Sequence, residues 1–393
     1  MKYITSLILL IGLLAGQLFK FPQGNQGGAT LLDLAVIILI LFSIPKIKLQ
    51  NLKLNHWTKA AFIFSGVAII SLILTPLRLS TSQYLLSLAY PFRFTLYFLL
   101  GFLISNGALP TLKKTLPKTI LFSGIGLAVL GLLQLIFIPD LGFMSEAGWD
   151  PHYFRTVSTL LDPNFLGAYL VLTLLSITLD QSISPTIKKR LPGFIITYLA
   201  IITTFSRSAA IMLFVSFTAL ALLKRSPKLL LLSIFLTGGV GLGFLGYKQL
   251  VAQPRGIDRQ QSAYYRLNSW QEGWTMLQYS PVFGVGFNAY RFALSQYHLG
   301  TENFSQTRGA SANDSSLLFV AATTGVVGLA VFFAFLTTLI QGSLFKVTQN
   351  KWNLVIVSGL LGLIAQSFFI NVLFYPWILI WVILVTVYAQ SKQ

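Results

Sequence analysis

Apolar runs of about 20 residues recur along the whole chain, and this is the length an α-helix needs to cross the hydrocarbon core of a membrane. Of the 393 residues, 55% are hydrophobic and only 10% are charged. A soluble protein carries about a quarter charged residues and could not hide so much apolar surface. The sequence therefore predicts an all-α, polytopic membrane protein.

The apolar runs predict twelve transmembrane helices. They cover residues 3–19, 29–45, 59–75, 83–105, 118–138, 159–179, 192–205, 208–223, 228–247, 314–340, 353–370 and 372–389. The first run follows a single lysine and has no convincing small-residue cleavage site, so it is interpreted as a retained span and not as a signal peptide. Three parts result: residues 1–247 with nine spans, a large external loop at 248–312, and residues 313–393 with three more spans.

Lysine-rich loops alternate with loops that are almost free of lysine. The lysine-rich loops hold Lys46, Lys48, Lys53, Lys113, Lys114, Lys118, Lys188, Lys189, Lys224, Lys228, Lys346 and Lys351. Such loops stay in the cytoplasm, so both termini are predicted to be cytoplasmic. The net charge of +18 is therefore attributed to membrane topology and not to binding of nucleic acid.

The opposite, outer loops carry arginine instead of lysine. Their arginines are Arg78, Arg155, Arg207, Arg255, Arg259, Arg266, Arg291 and Arg308. Arginine has a planar fork of donors that binds phosphate at two points, whereas either basic residue is adequate for topology. The outer face is therefore predicted to bind phosphate.

The large external loop is predicted to contain two short helices. From Ser262 to Gln278 the apolar and aromatic positions recur at helical spacing, which indicates an amphipathic helix at the membrane face. The segment SPVFGVGFNAY then introduces a turn before a second short helix. Its Gly-x-Gly is not a nucleotide loop, because no strand precedes it and no Walker lysine follows. The chain has no cysteine, which excludes disulfides and thiolate catalysis.

Four outer segments together resemble the O-antigen ligase and polymerase superfamily of lipid-linked oligosaccharide transferases. The segments are HYFRTVSTLLDPNFLGAYL, TFSRSAAI, YYRLNSWQEG with the turn after it, and SANDSSLLFVAATTGVVGLAVF. In chain order the residues that match family motifs are Arg155 with Pro163 and Asn164, Ser206 and Arg207, Arg266 with Trp270, Pro281 with Gly284 and Gly286, and Gly325 with Gly328 and Leu329. The resemblance covers nearly the whole chain.

The resemblance implies a transferase in a bacterial cytoplasmic membrane that needs neither cofactor nor metal. Its donor would be a glycan on polyprenyl diphosphate, and its acceptor a lipid A core, a growing polysaccharide or a protein. Membrane lipids would surround it, and nucleic acid is no partner. Arg155, Arg207 and Arg266 would bind the donor diphosphate.

The chain departs from the family at one catalytic position. Members usually have His-Asn before the span, whereas this chain has Asn313 and Asp314. A partly desolvated carboxylate at Asp314 could serve as the general base for an acceptor hydroxyl. His298 is a second candidate if the outer loop folds back.

Structural explanations compete with these site assignments. Arg207 could extend to lipid headgroups, and the Asp162 and Asn313–Asp314 positions could be helix caps. Asp33 within the second span could be functional or could pair with Arg93.

Two other kinds of activity remain open from the residues. Within the resemblance, a polymerase differs from a ligase only in its acceptor, and a multispan peptidoglycan polymerase would share the lipid-diphosphate donor. A multispan solute transporter is a different class, but the two halves show no matched broken helices.

Overall fold

The structure, a computed structural model, is almost entirely helical. It describes residues 3–21, 28–47, 52–147, 149–179, 186–253, 261–300 and 311–390. In chain order the helices are α1 (Ile4–Ala15), α2 (Leu31–Ser43), α3 (His56–Ile73), α4 (Thr81–Ser105), α5 (Pro110–Phe137), α6 (Pro163–Leu179), α7 (Ile187–Thr204), α8 (Arg207–Leu223), α9 (Pro227–Tyr247), α10 (Gln261–Tyr279), α11 (Tyr290–Gln296), α12 (Ser316–Leu344), α13 (Lys351–Gln366) and α14 (Pro376–Ala389). Strands β1 (Lys20–Phe21) and β2 (Ala29–Thr30) form a short antiparallel pair before α2.

Each of the twelve predicted spans overlaps one of these helices. Among the described residues, five helices are long and apolar enough to cross a membrane: α3, α4, α5, α9 with its extension to Ala252, and α12. Five shorter helices, α1, α6, α8, α13 and α14, are also apolar. The all-α membrane class is thus confirmed, while the count of twelve crossings stays a prediction.

Helices α10 and α11 lie within the predicted external loop, and the turn between them anchors that loop to the helix bundle. Phe287, in the turn, is fully buried, with its ring centroid 5.7 Å from that of Phe64 on α3. It lies 5.6 Å from the rings of both Phe319 on α12 and Phe374 before α14. Aromatic contacts at these separations add stabilisation beyond the buried area.

The same turn docks against a kink in α12. Gly325 has a φ of 66°, which interrupts the helix between its two halves. The backbone N–H of Val285 donates to the carbonyl of Ala322 at 3.0 Å, and that of Gly286 to Thr323 at 3.0 Å. Carbonyl groups of the interrupted α12 thus accept hydrogen bonds from the turn.

Glycine is required on both sides of this junction. A Cβ atom on Gly284 would lie 2.3 Å from the carbonyl carbon of Thr323, and one on Gly325 would lie 2.1 Å from the carbonyl oxygen of Val282. Both glycines also have positive φ, which L side chains adopt at a cost. The Pro-x-x-Gly-x-Gly turn and the Gly-x-x-Gly segment are therefore the two halves of one junction, and they fix the orientation of α10 against α12.

Asp33 and Arg93 form the ion pair considered from the sequence. Arg93 Nε lies 2.7 Å from Asp33 Oδ1, and Arg93 Nη2 donates to Oδ2 at 3.0 Å. The Tyr97 hydroxyl donates to Oδ1 at 2.9 Å, while the Thr30 backbone N–H donates to Oδ2 at 2.7 Å. This carboxylate therefore has a structural role that joins α2 to α4.

Replacing Asp33 by asparagine is expected to lower the stability of the protein by roughly 3–5 kcal/mol, because Arg93 would be left with an uncompensated charge. The measurement is the apparent unfolding temperature in detergent. A double variant with Arg93→Met as well should recover part of the loss. An Asp33→Asn protein as stable as the wild type would contradict this account.

Candidate functional site

The arginine-bearing segment before α6 is fixed to the turn between α7 and α8. Arg155 is buried, and its Nε donates to the carbonyl of Thr204 at 2.9 Å. The backbone N–H of Thr156 donates to the carbonyl of Thr203 at 3.0 Å. These two bonds place Arg155 directly beside the turn that carries Arg207.

The Pro-Asn pair and the Ser-Arg pair meet at the starts of α6 and α8. The Ser206 hydroxyl donates to Asn164 Oδ1 at 2.7 Å, and it also accepts the backbone N–H of Ala209 as the N-cap of α8. Gln366 at the end of α13 donates to the carbonyl of Asn164 and to the Ser208 hydroxyl, at 3.3 Å in each case. Two helix N-termini are thus held side by side, and each contributes a partial positive charge.

Asp162 caps α6. Its Oδ1 accepts the backbone N–H groups of Asn164 at 2.6 Å and of Phe165 at 3.1 Å. Burial raises the pKa of Asp162, and these hydrogen bonds oppose the rise because they stabilise the ionised form. The cap interpretation is therefore correct for this residue.

Arg207 and Arg266 lie close enough for their charges to repel each other. Among the described residues, neither guanidinium group has a hydrogen-bond or ion-pair partner. The Arg207 guanidinium lies 5.9 Å from the centre of the Phe244 ring. The charge of Arg266 interacts at longer range with Asp314. Arg207 is exposed at the first turn of α8, and Arg266 lies on α10. Two unpaired cations beside helix N-termini form a natural binding site for an anion.

Asp314 lies just before α12, close enough to Arg266 for their charges to interact. Its backbone N–H donates to the Ser269 hydroxyl of α10 at 3.0 Å. Burial raises the pKa of Asp314 to about 6, Arg266 opposes the rise, and the charges of Asp150 and Asp162 add to it. Asp314 does not cap α12, because the Ser315 side chain accepts the Leu318 N–H there.

Glu272 is a site residue that the sequence motifs do not indicate. It lies on α10, and burial raises its pKa to about 7, with a further rise from the charge of Asp314. The Tyr290 hydroxyl nearby lowers this pKa, while it donates its own hydrogen bond to the carbonyl of Ser269 at 3.4 Å. Two carboxyl groups with raised pKa values are thus linked by their charges, and one of them, Asp314, interacts with Arg266.

Asn313, at the position of the family histidine, joins three elements. Its Nδ2 donates to the carbonyl of Ser269 and, at 3.0 Å, to the Tyr290 hydroxyl. Its Oδ1 accepts the backbone N–H of Ser315 at 2.9 Å. Because Asn313 is fully buried by these contacts, it is suited to position other groups and not to exchange a proton.

None of the described contacts connects His298 to this cluster. It is exposed on the turn after α11 and has a positive φ of 52°. Its neighbour Gln296 donates to the carbonyl of Arg78 at 2.9 Å, which connects this turn to the α3–α4 loop. A role for His298 stays a prediction that no described contact supports.

The structure thus brings five of the six predicted site residues into one region. Arg155, Arg207, Arg266 and Asp314 are linked through the interactions of their charges, and Asn313 is next to them. Within the described residues, no group of three His, Asp or Glu side chains is placed to hold a metal ion.

The fold and this site define a helical membrane protein with a cluster of cationic and carboxylate side chains where several helices begin. Residues 192–333 match the family model of the O-antigen ligase, which confirms the resemblance inferred from the motifs between Ser206 and Leu329. The matched region runs from α7 to α12 and includes Arg207, Arg266, Asn313 and Asp314. No curated protein matches the chain.

Proposed function

We propose that the protein is a membrane glycosyltransferase of the O-antigen ligase type. It transfers a glycan from polyprenyl diphosphate to an acceptor hydroxyl at the outer face of the bacterial cytoplasmic membrane. The observation that carries this proposal is the pair Arg207 and Arg266, which repel each other and have no anionic partner within ion-pair distance among the described residues. A diphosphate would compensate both charges at once.

The reaction follows from the charges around this pair. The acceptor oxygen attacks the anomeric carbon of the glycan, and the bond from that carbon to the phosphate oxygen breaks. The electron pair leaves on the lipid diphosphate, where Arg207 and Arg266 stabilise the developing charge. The acceptor's proton passes to the carboxylate of Asp314.

Arg155 contributes to the site from behind the α7–α8 turn. Its bond to the Thr204 carbonyl orients the turn that carries Arg207, and its buried charge adds to the positive potential. We infer that Arg155 binds the diphosphate less directly than the other two arginines.

The bond to the lipid diphosphate supplies the driving force, so transfer should need neither nucleotide nor divalent cation. The test uses purified protein, a lipid-linked glycan donor, envelope lipids and glycans of the source cells as acceptor, and a chelator. Release of polyprenyl diphosphate is the expected result, and this product is common to ligases and polymerases. Activity that is lost in chelator and restored by magnesium would indicate a metal-assisted reaction instead. Solute uptake by proteoliposomes without release of polyprenyl diphosphate would favour a transporter.

The proposal also requires the site to face outward, with both termini in the cytoplasm. The cysteine-free chain allows single-cysteine labelling by an impermeant reagent on intact cells. Ser295→Cys, exposed in the last turn of α11, should react from outside, and Lys224→Cys, exposed after α8, only after the membrane is opened. The reverse pattern would exclude an outer-face donor site.

A further inference from the structure

We propose that the last turn of α9 positions Arg207 for the donor diphosphate, with Phe244 and Tyr247 as the positioning residues. Phe244 and Tyr247 are three residues apart near the end of α9 and therefore lie on the same side of that helix. Their role rests on the proposed function for its ligand, whereas the contacts that define it are all between described residues.

Glycines allow α9 to approach α7 closely. A Cβ atom on Gly243 would lie 2.5 Å from Ile202 Cγ2, and one on Gly239 would overlap the hydroxyl of Tyr198. Larger side chains at these two positions would push the helices apart. Gly239, Gly243 and Tyr247 follow one another at four-residue spacing, so they share one face of α9. Tyr247 therefore reaches the turn that follows α7.

Tyr247 holds that turn from two directions. Its ring stacks on the ring of Phe205, with the centroids 4.3 Å apart and the planes inclined by 20°. Phe205 has a φ of 47°, a conformation that glycine adopts more readily, and a bulky residue keeps it only where its surroundings require it. The Tyr247 hydroxyl donates to the carbonyl of Tyr153 at 2.9 Å, two residues before Arg155. One buried side chain thus joins the turn before Arg207 to the segment that carries Arg155.

Phe244 contacts Arg207 itself. The guanidinium carbon lies 5.9 Å from the centre of the Phe244 ring, which is within the range of a cation–π interaction. This interaction uses the ring and no hydrogen-bond acceptor, so the N–H donors of Arg207 stay available for phosphate. An exposed arginine loses rotamer freedom when it binds a ligand. A side chain that a ring already restrains loses less of this freedom, and the cost of binding is lower.

The test is the equilibrium binding of polyprenyl diphosphate to the full chain in lipid nanodiscs. Phe244→Leu keeps an apolar side chain but removes the ring, and it should weaken binding by about two- to fivefold. Phe244→Trp should bind at least as tightly as the wild type, because tryptophan is the best partner for a cation. Tyr247→Phe keeps the stack but loses the bond to Tyr153, and it should weaken binding by about two- to tenfold. In an Arg207→Ala background none of these exchanges should change the affinity, because they act through Arg207.

Tyr198→Phe is the matched control, because the Tyr198 hydroxyl also joins α9 to a neighbour, by a bond of 2.9 Å to the carbonyl of Leu236. It should leave the affinity unchanged, and size-exclusion profiles establish that each variant is folded. Wild-type affinity in Phe244→Leu would overturn the role of Phe244, and wild-type affinity in Tyr247→Phe would overturn that of Tyr247. A loss of affinity that persists in the Arg207→Ala background would show that these residues do not act through Arg207, and it would overturn the proposal.

Hydrogen exchange of the backbone amides of residues 153–157 separates this role from the proposed function, because it needs no ligand. The Thr156 N–H, which donates to the carbonyl of Thr203, should exchange faster in Tyr247→Phe than in the wild type. Unchanged exchange would mean that Tyr247 does not fix this segment. Faster exchange in Tyr247→Phe, in a protein whose wild type binds and releases no polyprenyl diphosphate, would refute the proposed function and leave the connection between α9 and the α7–α8 turn intact.

Discussion

Replacing Arg207 by lysine is expected to reduce transfer almost as severely as replacing it by alanine, by roughly 10²–10³-fold in each case. Lysine keeps the charge but is a compact point charge without the planar fork that binds phosphate at two points. The position of Arg207 at the first turn of α8, with Arg266 close enough to repel it, favours two-point binding of a shared anion. The measurement is the rate of polyprenyl diphosphate release from a lipid-linked glycan donor.

Arg78→Lys is the matched control, because Arg78 is also an exposed arginine of a predicted outer loop but lies in the α3–α4 connection. It should retain near wild-type activity. Protein levels should be normal for every variant, because Arg207 makes no hydrogen bond or ion pair within the described residues. Full activity of Arg207→Lys would mean that this position supplies charge alone, as in an interaction with lipid headgroups.

Hydropathy predicted where the helices lie because a membrane span requires a long, continuous apolar segment. Each of the twelve segments overlaps a helix, although α1 and α14 are shorter than the runs that predicted them. The apolar segments indicate which residues avoid water, whereas the residues at which a helix begins and ends depend on local caps and turns. The start of α8, for example, is set by the Ser206 cap.

The junction between the external loop and α12 could not be predicted from the motifs alone. From the motifs alone, Gly325 and Gly328 are explained just as well as small residues that let two helices pack closely. Only the docked turn shows that Gly325 breaks α12 and that its neighbouring carbonyls bond to Val285 and Gly286. This is a tertiary effect, because the positive φ of Gly325 depends on a partner about 40 residues earlier in the chain.

The site was predictable only in part for the same reason. The arginines stood out because each is costly near a membrane, and Asp314 stood out because it lies beside the position of a family motif. Glu272 gave no such signal, since a carboxylate on a polar outer helix is ordinary. Its charge interaction with Asp314 follows from the packing of α10 against the start of α12, where Asn313 bonds to Ser269 and Tyr290, residues far apart in sequence.

Replacing Asp314 by asparagine is expected to reduce transfer by roughly 10²–10⁴-fold, because a general base is lost. Binding of the lipid-linked donor should be unchanged, since Arg207 and Arg266 remain. The exchange keeps the size of the side chain, and the N-cap of α12 is Ser315, so folding should be preserved. In the wild type, activity should fall as the pH drops below about 6, where the raised pKa of Asp314 leaves it protonated. Polyprenyl diphosphate release across pH, with donor binding to the same variant, measures both effects.

Asp140→Asn is the control for this exchange, because Asp140 is an exposed aspartate on a predicted outer loop that accepts only the local Gly142 N–H at 2.8 Å among the described contacts. It should be fully active.

An active Asp314→Asn together with an inactive His298→Ala would transfer the role of base to the exposed turn after α11. If both variants were active, the acceptor would have to lose its proton to the departing diphosphate oxygens, and the arginine pair would then be the whole of the catalytic apparatus. The raised pKa of Asp314 and its place beside Arg266 favour an inactive Asp314→Asn variant, since they put a carboxylate that ionises near neutral pH next to the charge that holds the leaving group.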